Sequence, residues 1–371
     1  MNRSIYLLKR IALALPVILF GLTVTFLILY RGPLDPANAI LGQDAAPSDV
    51  RRLRVALGYI NPDGSPVPLW QQYYGVMSDL LLFDFGNSWA VQRNVSVASI
   101  IVSRMPATLW LGFWSVMVAL VVGIPTGFFA GLRANSLSDY VASGGGIVWR
   151  AMPNFWLAVI LAGSLTAGGL MSWYRHFPCG PNENPCAWRT DVVTTPSEVS
   201  NLFSTIDLFT GVPVLEMLFI PVPNGFNLLI AFKWILPAAL VLGSASMGNE
   251  IRIGRTAVLE SINSKYVETA KAKGLSPRRI IVKHVGRNAA IPLLPVIMGE
   301  FYLLIGGSVL VEKVFSINGL GNLFFRAIIV PDIPVVMALV FIFVLINVFV
   351  NITQDLLYTV IDPRVTLEDT G

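Results

Sequence analysis

The chain has 371 residues, of which 54% are hydrophobic and only 13% charged, whereas ordinary globular domains carry about 25% charged residues. That balance excludes an ordinary soluble domain and reads as an integral membrane protein. The formal charge of +4 reports topology rather than nucleic-acid binding, because the basic residues crowd into short segments beside apolar runs.

Six apolar runs approach the ~20 residues needed to cross ~30 Å of hydrocarbon: Ile11–Leu29, Leu109–Leu132, Ile147–Met171, Leu228–Met247, Ala289–Val311 and Val335–Val350. The expected fold is therefore all-α, with about six transmembrane helices. Ile11–Tyr30 lacks the short apolar core and small-residue cleavage site of a signal peptide, so residues 1–30 read as a retained anchor helix. Arg3, Lys9 and Arg10 precede it, and Arg252, Arg255, Lys265, Lys271, Lys273, Arg278, Arg279, Lys283 and Arg287 crowd the segment between the fourth and fifth runs. Both regions are expected in the cytoplasm. Residues 31–105 and 172–226 then fall outside, and the tail 361–371, with Arg364, falls inside.

Residues 31–105 read as a small extracytoplasmic subdomain. Asp49–Gly58 has a helical pattern ended by glycine. Leu69–Phe85 places Trp70, Tyr73, Tyr74, Met77, Leu81 and Phe85 at helix spacing, a stripe expected on the outer membrane surface or against the first span. The core permeation unit is expected over 106–360. Glycine and proline within its spans, such as Gly123, Pro125, Gly127 and Gly144-Gly145-Gly146, permit close helix contact or a kink, with packing as the simpler role.

The outer segment 172–226 carries Cys179 and Cys186, the two cysteines of the chain. An exported loop favours oxidation to a disulfide over free thiols, and Cys-x6-Cys without a second pair is a poor zinc pattern. Its apolar patch Leu215–Val222 is too short to span.

The inner segment 254–288 is the most informative. Ala257, Leu259, Ile262, Tyr266, Ala270 and Ala272 have helix spacing, Gly274 stops the helix, and Ser276-Pro277 supplies an N-cap followed by proline in a new first turn. The expectation is a helix–turn–helix knob whose small apolar face, flanked by Lys271, Lys273 and Arg278, enters a groove on a soluble partner. A topology determinant would need only Lys and Arg, whereas this loop also uses Gly, Ser, Pro and several Ala for a specific geometry.

Charged residues at membrane depth are functional candidates: Lys233, Glu300 and Asp355. Lys233 lies where it can snorkel, and Asp355 lies near Tyr358 and Arg364. Glu300 is the best placed, with a helix–helix hydrogen bond and a place on a translocation pathway both open to it. The chain contains no phosphate-binding Gly-x-x-x-x-Gly-Lys-Ser/Thr, no His-Glu-x-x-His, and only His176 and His284 for acid–base work. These absences disfavour an ATPase and a membrane enzyme.

Glu268-Thr269-Ala270-Lys271-Ala272-Lys273-Gly274-Leu275-Ser276-Pro277-Arg278 resembles the Glu-Ala-Ala…Gly loop by which permeases of ABC importers meet their ATPases. Further segments resemble the peptide-type branch (dipeptide, oligopeptide and nickel): Gly32–Ala37, Phe83–Ser88, Met152–Leu157, Val311–Gly321, His284–Ala289 and Asp355–Val365. The similarity runs nearly end to end. Residues 172–226 and the stretch near Asn61–Pro68 look longer than in the short dipeptide members and resemble the longer oligopeptide members.

The resemblance implies a type I ABC importer permease fold and a multi-pass protein of the prokaryotic cytoplasmic membrane with both termini in the cytoplasm. The implied partners are a second permease, two ABC ATPases, an extracytoplasmic binding protein that delivers peptide, and membrane lipid, with no nucleic acid. It also implies that this subunit binds no cofactor or metal and does not itself hydrolyse ATP. Nickel or another small solute is the alternative cargo, and an ion-coupled secondary transporter the alternative class.

Overall fold

The computed structural model describes residues 3–32, 35–42, 44–166, 168–176, 225–306 and 309–361. Cys179, Cys186, most of the segment 172–226 and the tail 362–371 lie outside these. The described residues form helices and connecting turns, with two isolated bridges, Ile60 with Pro66 and Asn87 with Ser96, and no extended strand.

In chain order the helices are α1 (Arg3–Arg31), α2 (Pro36–Leu41), α3 (Pro47–Ala56), α4 (Leu69–Leu81), α5 (Val97–Val118), a π-helical turn (Ala119–Gly123), α6 (Ile124–Leu132), α7 (Leu137–Ala151) and α8 (Asn154–Ser164). After the undescribed segment come α9 (Gly225–Ile262), α10 (Lys265–Ala272), α11 (Pro277–Arg279), a second π segment (Ile280–Gly286) and α12 (Arg287–Ala289). A 3₁₀ turn (Ile291–Leu293) then leads to α13 (Leu294–Gly306), α14 (Val309–Val314), α15 (Leu320–Ile329) and α16 (Ile333–Ile361).

Among the described residues four helical stretches are long and apolar enough to cross a membrane: Ala12–Arg31, Val97–Leu132, Pro277–Glu300 and Ile333–Leu357. A fifth span is obtained if α7 and α8 are taken together. With α9, which contains the run 228–247, this is compatible with the six spans expected, but three boundaries differ. The run 147–171 is not one straight helix, because α7 and α8 meet at 95°. Met152 is extended ahead of Pro153 (φ −81°, ψ 129°), since proline disfavours the helical conformation in the residue before it. The run 289–311 belongs to a helical path that already starts at Pro277. The second span begins at Val97, twelve residues before the apolar run.

The chain divides into two compact units, one comprising Asn2–Met105 with Asn322–Phe349, the other Pro106–Gly321 with Val350–Gly371. In the first, Ile18, Leu22 and Phe26 of α1, Met77 and Leu80 of α4, and Ile333, Met337 and Phe341 of α16 form a buried core. The aromatic stripe of α4 thus packs on α1: Tyr73 meets the Phe26 ring edge-on at 5.3 Å, and its hydroxyl lies 2.8 Å from Thr23 Oγ1. Trp70 and Tyr74 remain exposed. Gly58 ends α3 with a left-handed φ of +75°, a conformation glycine adopts without strain.

Asp332 organises the loop before α5. Its fully buried carboxylate accepts hydrogen bonds from Ser88 Oγ (2.5 Å), Trp89 N (3.1 Å), Ala90 N (2.9 Å) and Val91 N (2.9 Å). Four donors offset the cost of burying a charge, and they explain why Ser88 closes the Phe83–Ser88 motif.

In the second unit α9 is the central element. The path from α5 through the π turn to α6 runs parallel to it, and Gly123, Gly127 and Gly131 recur every four residues along the contact. A Cβ at Gly127 would stand 2.7 Å from Ile251 O and 2.9 Å from Ile251 Cα, and one at Gly131 would stand 2.9 Å from Arg255 O. The two backbones therefore touch, as small residues at membrane helix interfaces permit. Gly248 similarly abuts Gly146 of α7, and Gly243 abuts Ser115 of α5. Beside this contact, Leu111, Ala158, Ala162, Ile235, Ala238, Leu242 and Phe315 belong to one buried apolar cluster.

Candidate functional site

The segment after α9 folds as a compact knob. Asn263 and Ser264 interrupt the helix, so the periodic stretch expected from 257 to 272 is two helices. Ser264 occupies the N-cap position of α10, but its hydroxyl donates to Ser261 O at 2.6 Å instead of capping. At the other end of α10, Gly274 N donates to Lys271 O (2.9 Å) and Leu275 N to Ala270 O (3.3 Å), with Gly274 at φ +70°. This is the two-bond glycine termination of a Schellman motif. Ser276 takes the expected N-cap conformation before Pro277 (φ −62°, ψ 144°), again without a side-chain capping bond.

Of the residues with the expected helix spacing, Ala257 and Ala270 are buried, Leu259 and Ile262 half-buried, and Tyr266 and Ala272 exposed. Val267 and Ala270 are buried against Ala257 and Val258 of α9 and against Ile280, Val285 and Ala289 beyond the turn, with half-buried Leu275 packed alongside. The exposed residues are Lys265, Tyr266, Glu268, Thr269, Lys271, Ala272, Lys273, Gly274, Ser276, Pro277, Arg278 and Arg279. The apolar stripe fastens the knob to its own helices, and a mixed, mostly basic surface with one aromatic ring is left for a partner.

Glu300, in α13, lies in the interior at 7% exposure. Its carboxyl group neighbours that of Glu250, on α9, and the Ser246 hydroxyl. Both Glu250 oxygens and Glu300 Oε2 are buried without a hydrogen bond of good geometry among the described residues. Gly123, in the π turn, makes room for this pair, since a Cβ there would lie 2.5 Å from Glu250 Oε2 and 3.3 Å from Met247 Cα. Sequence reasoning missed Glu250, because it lies beyond the end of the fourth apolar run.

Lys233 is also buried, with its ammonium group 5.7 Å from the Tyr174 ring centre, while the Tyr174 hydroxyl donates to Lys233 O at 2.6 Å. Asp355 is half-buried on α16, and the side chains of Tyr358 and Arg364 lie outside the described residues.

Two further acids shape this unit. Glu312, fully buried, accepts from Thr108 Oγ1 at 2.9 Å, and Thr108 Oγ1 in turn accepts from Leu320 N at 2.7 Å. A Cβ at Gly319 would reach 2.6 Å from Glu312 Oε2, so the Glu312…Gly319-Leu320-Gly321 motif is a close packing of backbone around a carboxylate. Asp139 receives Arg255 in a two-pronged contact, Nε to Oδ1 at 2.5 Å and Nη2 to Oδ2 at 2.8 Å. It also accepts from Asn135 N (2.9 Å) and Ser143 Oγ (3.1 Å), and its own N–H reaches Ser136 Oγ at 3.3 Å. Ser136 followed three residues on by Asp139 is a readable helix-start signal, but nothing in the sequence paired it with Arg255.

These features define a helical, multi-pass membrane protein with a compact helix–turn–helix inserted between long apolar helices. Residues 186–367 match the family described as binding-protein-dependent transport system inner membrane component. Residues 3–112 match the N-terminal region of such membrane components. The chain belongs to this family. It is 30% identical to the dipeptide transport system permease protein DppB of Alkalihalophilus pseudofirmus and 29% identical to the oligopeptide transport system permease protein AppB of Bacillus subtilis, each over 97% of this chain and 98% of the relative. It is 27% identical to the peptidoglycan transport system permease protein YejB of Agrobacterium fabrum, over 98% of both chains.

Proposed function

We propose that this chain is one of two permease subunits of an ATP-driven importer for peptides. One of two ABC ATPase subunits binds the knob 265–279 on the cytoplasmic side, where both chain termini also lie, and the other binds the second permease. An extracytoplasmic binding protein delivers peptide to residues 31–105 and 172–226. ATP is hydrolysed on the ATPases, and their movement switches the paired permeases between inward-facing and outward-facing states. The observation that carries this reading is the glycine-terminated turn at Gly274, which presents an exposed basic surface from a knob packed on α9. The dipeptide and oligopeptide names of relatives alike over nearly the whole length support peptide as the cargo.

The apolar spans offer few fixed polar groups with which to read a ligand, so selectivity resides chiefly in the binding protein. Glu300, beside Glu250, is the first residue to test for a contribution from the pathway, and a disulfide between Cys179 and Cys186 would close a short loop on the receiving face. The reading is tested by replacing the catalytic glutamate of the partner ATPases and measuring uptake of labelled peptide in cells. Uptake should fall to background while the membrane potential is intact. Persistent uptake that collapses only when the ion gradients are dissipated would identify an ion-coupled transporter instead.

A further inference from the structure

The Asp139–Arg255 pair occupies a position that the docking knob and the apolar spans do not explain. Arg255 lies on α9 two residues before Ala257 and three before Val258, the residues on which the knob's Val267 and Ala270 pack. Its guanidinium reaches across to Asp139, in the first turn of α7, whose side chain is 1% exposed. Asp139 in turn gathers the backbone of Asn135, held at a left-handed φ of +62°, and the hydroxyl of Ser143. One carboxylate therefore ties together α9, the turn between α6 and α7, and α7 itself. Gly131 and Gly127 hold α6 directly against the same stretch of α9.

Stability alone does not call for this arrangement. A buried ion pair can often be replaced by packed apolar residues without loss, whereas a planar, two-pronged Arg–carboxylate contact fixes the relative orientation of the two elements that carry it. Resting on the functional reading above, we infer that Asp139 and Arg255 are positioning residues for energy coupling: they make α7 and the α6–α7 turn follow α9 when the ATPase displaces the knob. Without the clasp the ATPase still docks and hydrolyses ATP, but the movement of α9 is dissipated before it reaches α6 and α7.

The test is the number of ATP molecules hydrolysed per peptide taken up by the complete transporter in proteoliposomes, together with the amount of ATPase recovered per permease. Arg255→Lys keeps the charge and loses the fork, and the pair Asp139→Leu with Arg255→Met replaces the ion pair by apolar packing. Both should retain the ATPase and raise the ATP-to-peptide ratio by about tenfold, equivalent to ~1.4 kcal/mol of lost coupling. Exchanging the charges, Asp139→Arg with Arg255→Asp, should bring the ratio back toward wild type. An unchanged ratio in Arg255→Lys and in the apolar double variant would overturn the inference, as would a loss of uptake that merely tracks loss of assembled complex. A wild-type complex without ATP-dependent peptide uptake would instead overturn the functional reading, and the clasp's coupling role with it.

Discussion

Replacing Gly274 with aspartate should leave the permease in the membrane while reducing both the ATPase that co-purifies with it and peptide uptake by at least about tenfold. A Cβ at Gly274 meets nothing within 4 Å, so space is not the obstacle; the obstacle is φ +70°. A side chain in that conformation costs on the order of 1 kcal/mol, enough to loosen the two bonds by which Gly274 and Leu275 close α10. Aspartate also places a negative charge among the exposed Lys271, Lys273 and Arg278, where it changes the surface offered to the ATPase. Asparagine tolerates the left-handed conformation better and adds no charge, so Gly274→Asn should retain most of the activity. Equal loss with asparagine and aspartate would assign the defect to backbone strain alone. Normal ATPase recovery with aspartate would remove the knob from the docking site.

The second large effect is expected at the α6–α9 contact. Gly127→Ala should destabilise the folded permease by about 1–3 kcal/mol, and Gly127→Leu should abolish accumulation of folded protein. The added atoms would strike the Ile251 backbone at 2.7–2.9 Å, and a helix backbone cannot move aside as a flexible side chain can. Gly144 and Gly145, in α7, have nothing within 4 Å of the equivalent position. Alanine there should be neutral or slightly stabilising, because glycine costs a helix roughly 0.5–1 kcal/mol relative to alanine. Thermal unfolding of the detergent-solubilised protein measures the three alanine variants, and the amount of folded protein recovered from membranes measures Gly127→Leu. Equal behaviour at Gly127 and Gly144 would contradict the close-contact account.

Features set by local chemistry were legible in the sequence. Apolar runs located α1, the central part of the α5–α6 path and α16, and the Gly274-Leu275-Ser276-Pro277 order located the turn of the knob to the residue. Hydropathy misplaced the boundaries where a helix continues through charged residues. α9 extends for 38 residues, past its apolar run and through Glu250, which is buried among neighbouring elements, and no count of residue types along one segment shows that burial. The direction of the knob's apolar face was hidden for the same reason: helix spacing says that Val267 and Ala270 share a face, but not whether α9 or another protein covers it. Asp139, Glu312 and Asp332 were unreadable as sites because each is satisfied by donors far along the chain. In each case the informative quantity is a distance between segments, and spacing along the sequence contains no such distance.

The most direct measurement of the central claim is uptake of radiolabelled peptide by proteoliposomes containing this permease, its partner permease and the two ATPases, with the binding protein on the receiving side. Accumulation should require ATP on the knob's side and the binding protein on the other, and should be lost when the knob carries Gly274→Asp. Peptide uptake that proceeds without ATP, or that survives that substitution undiminished, would contradict the claim.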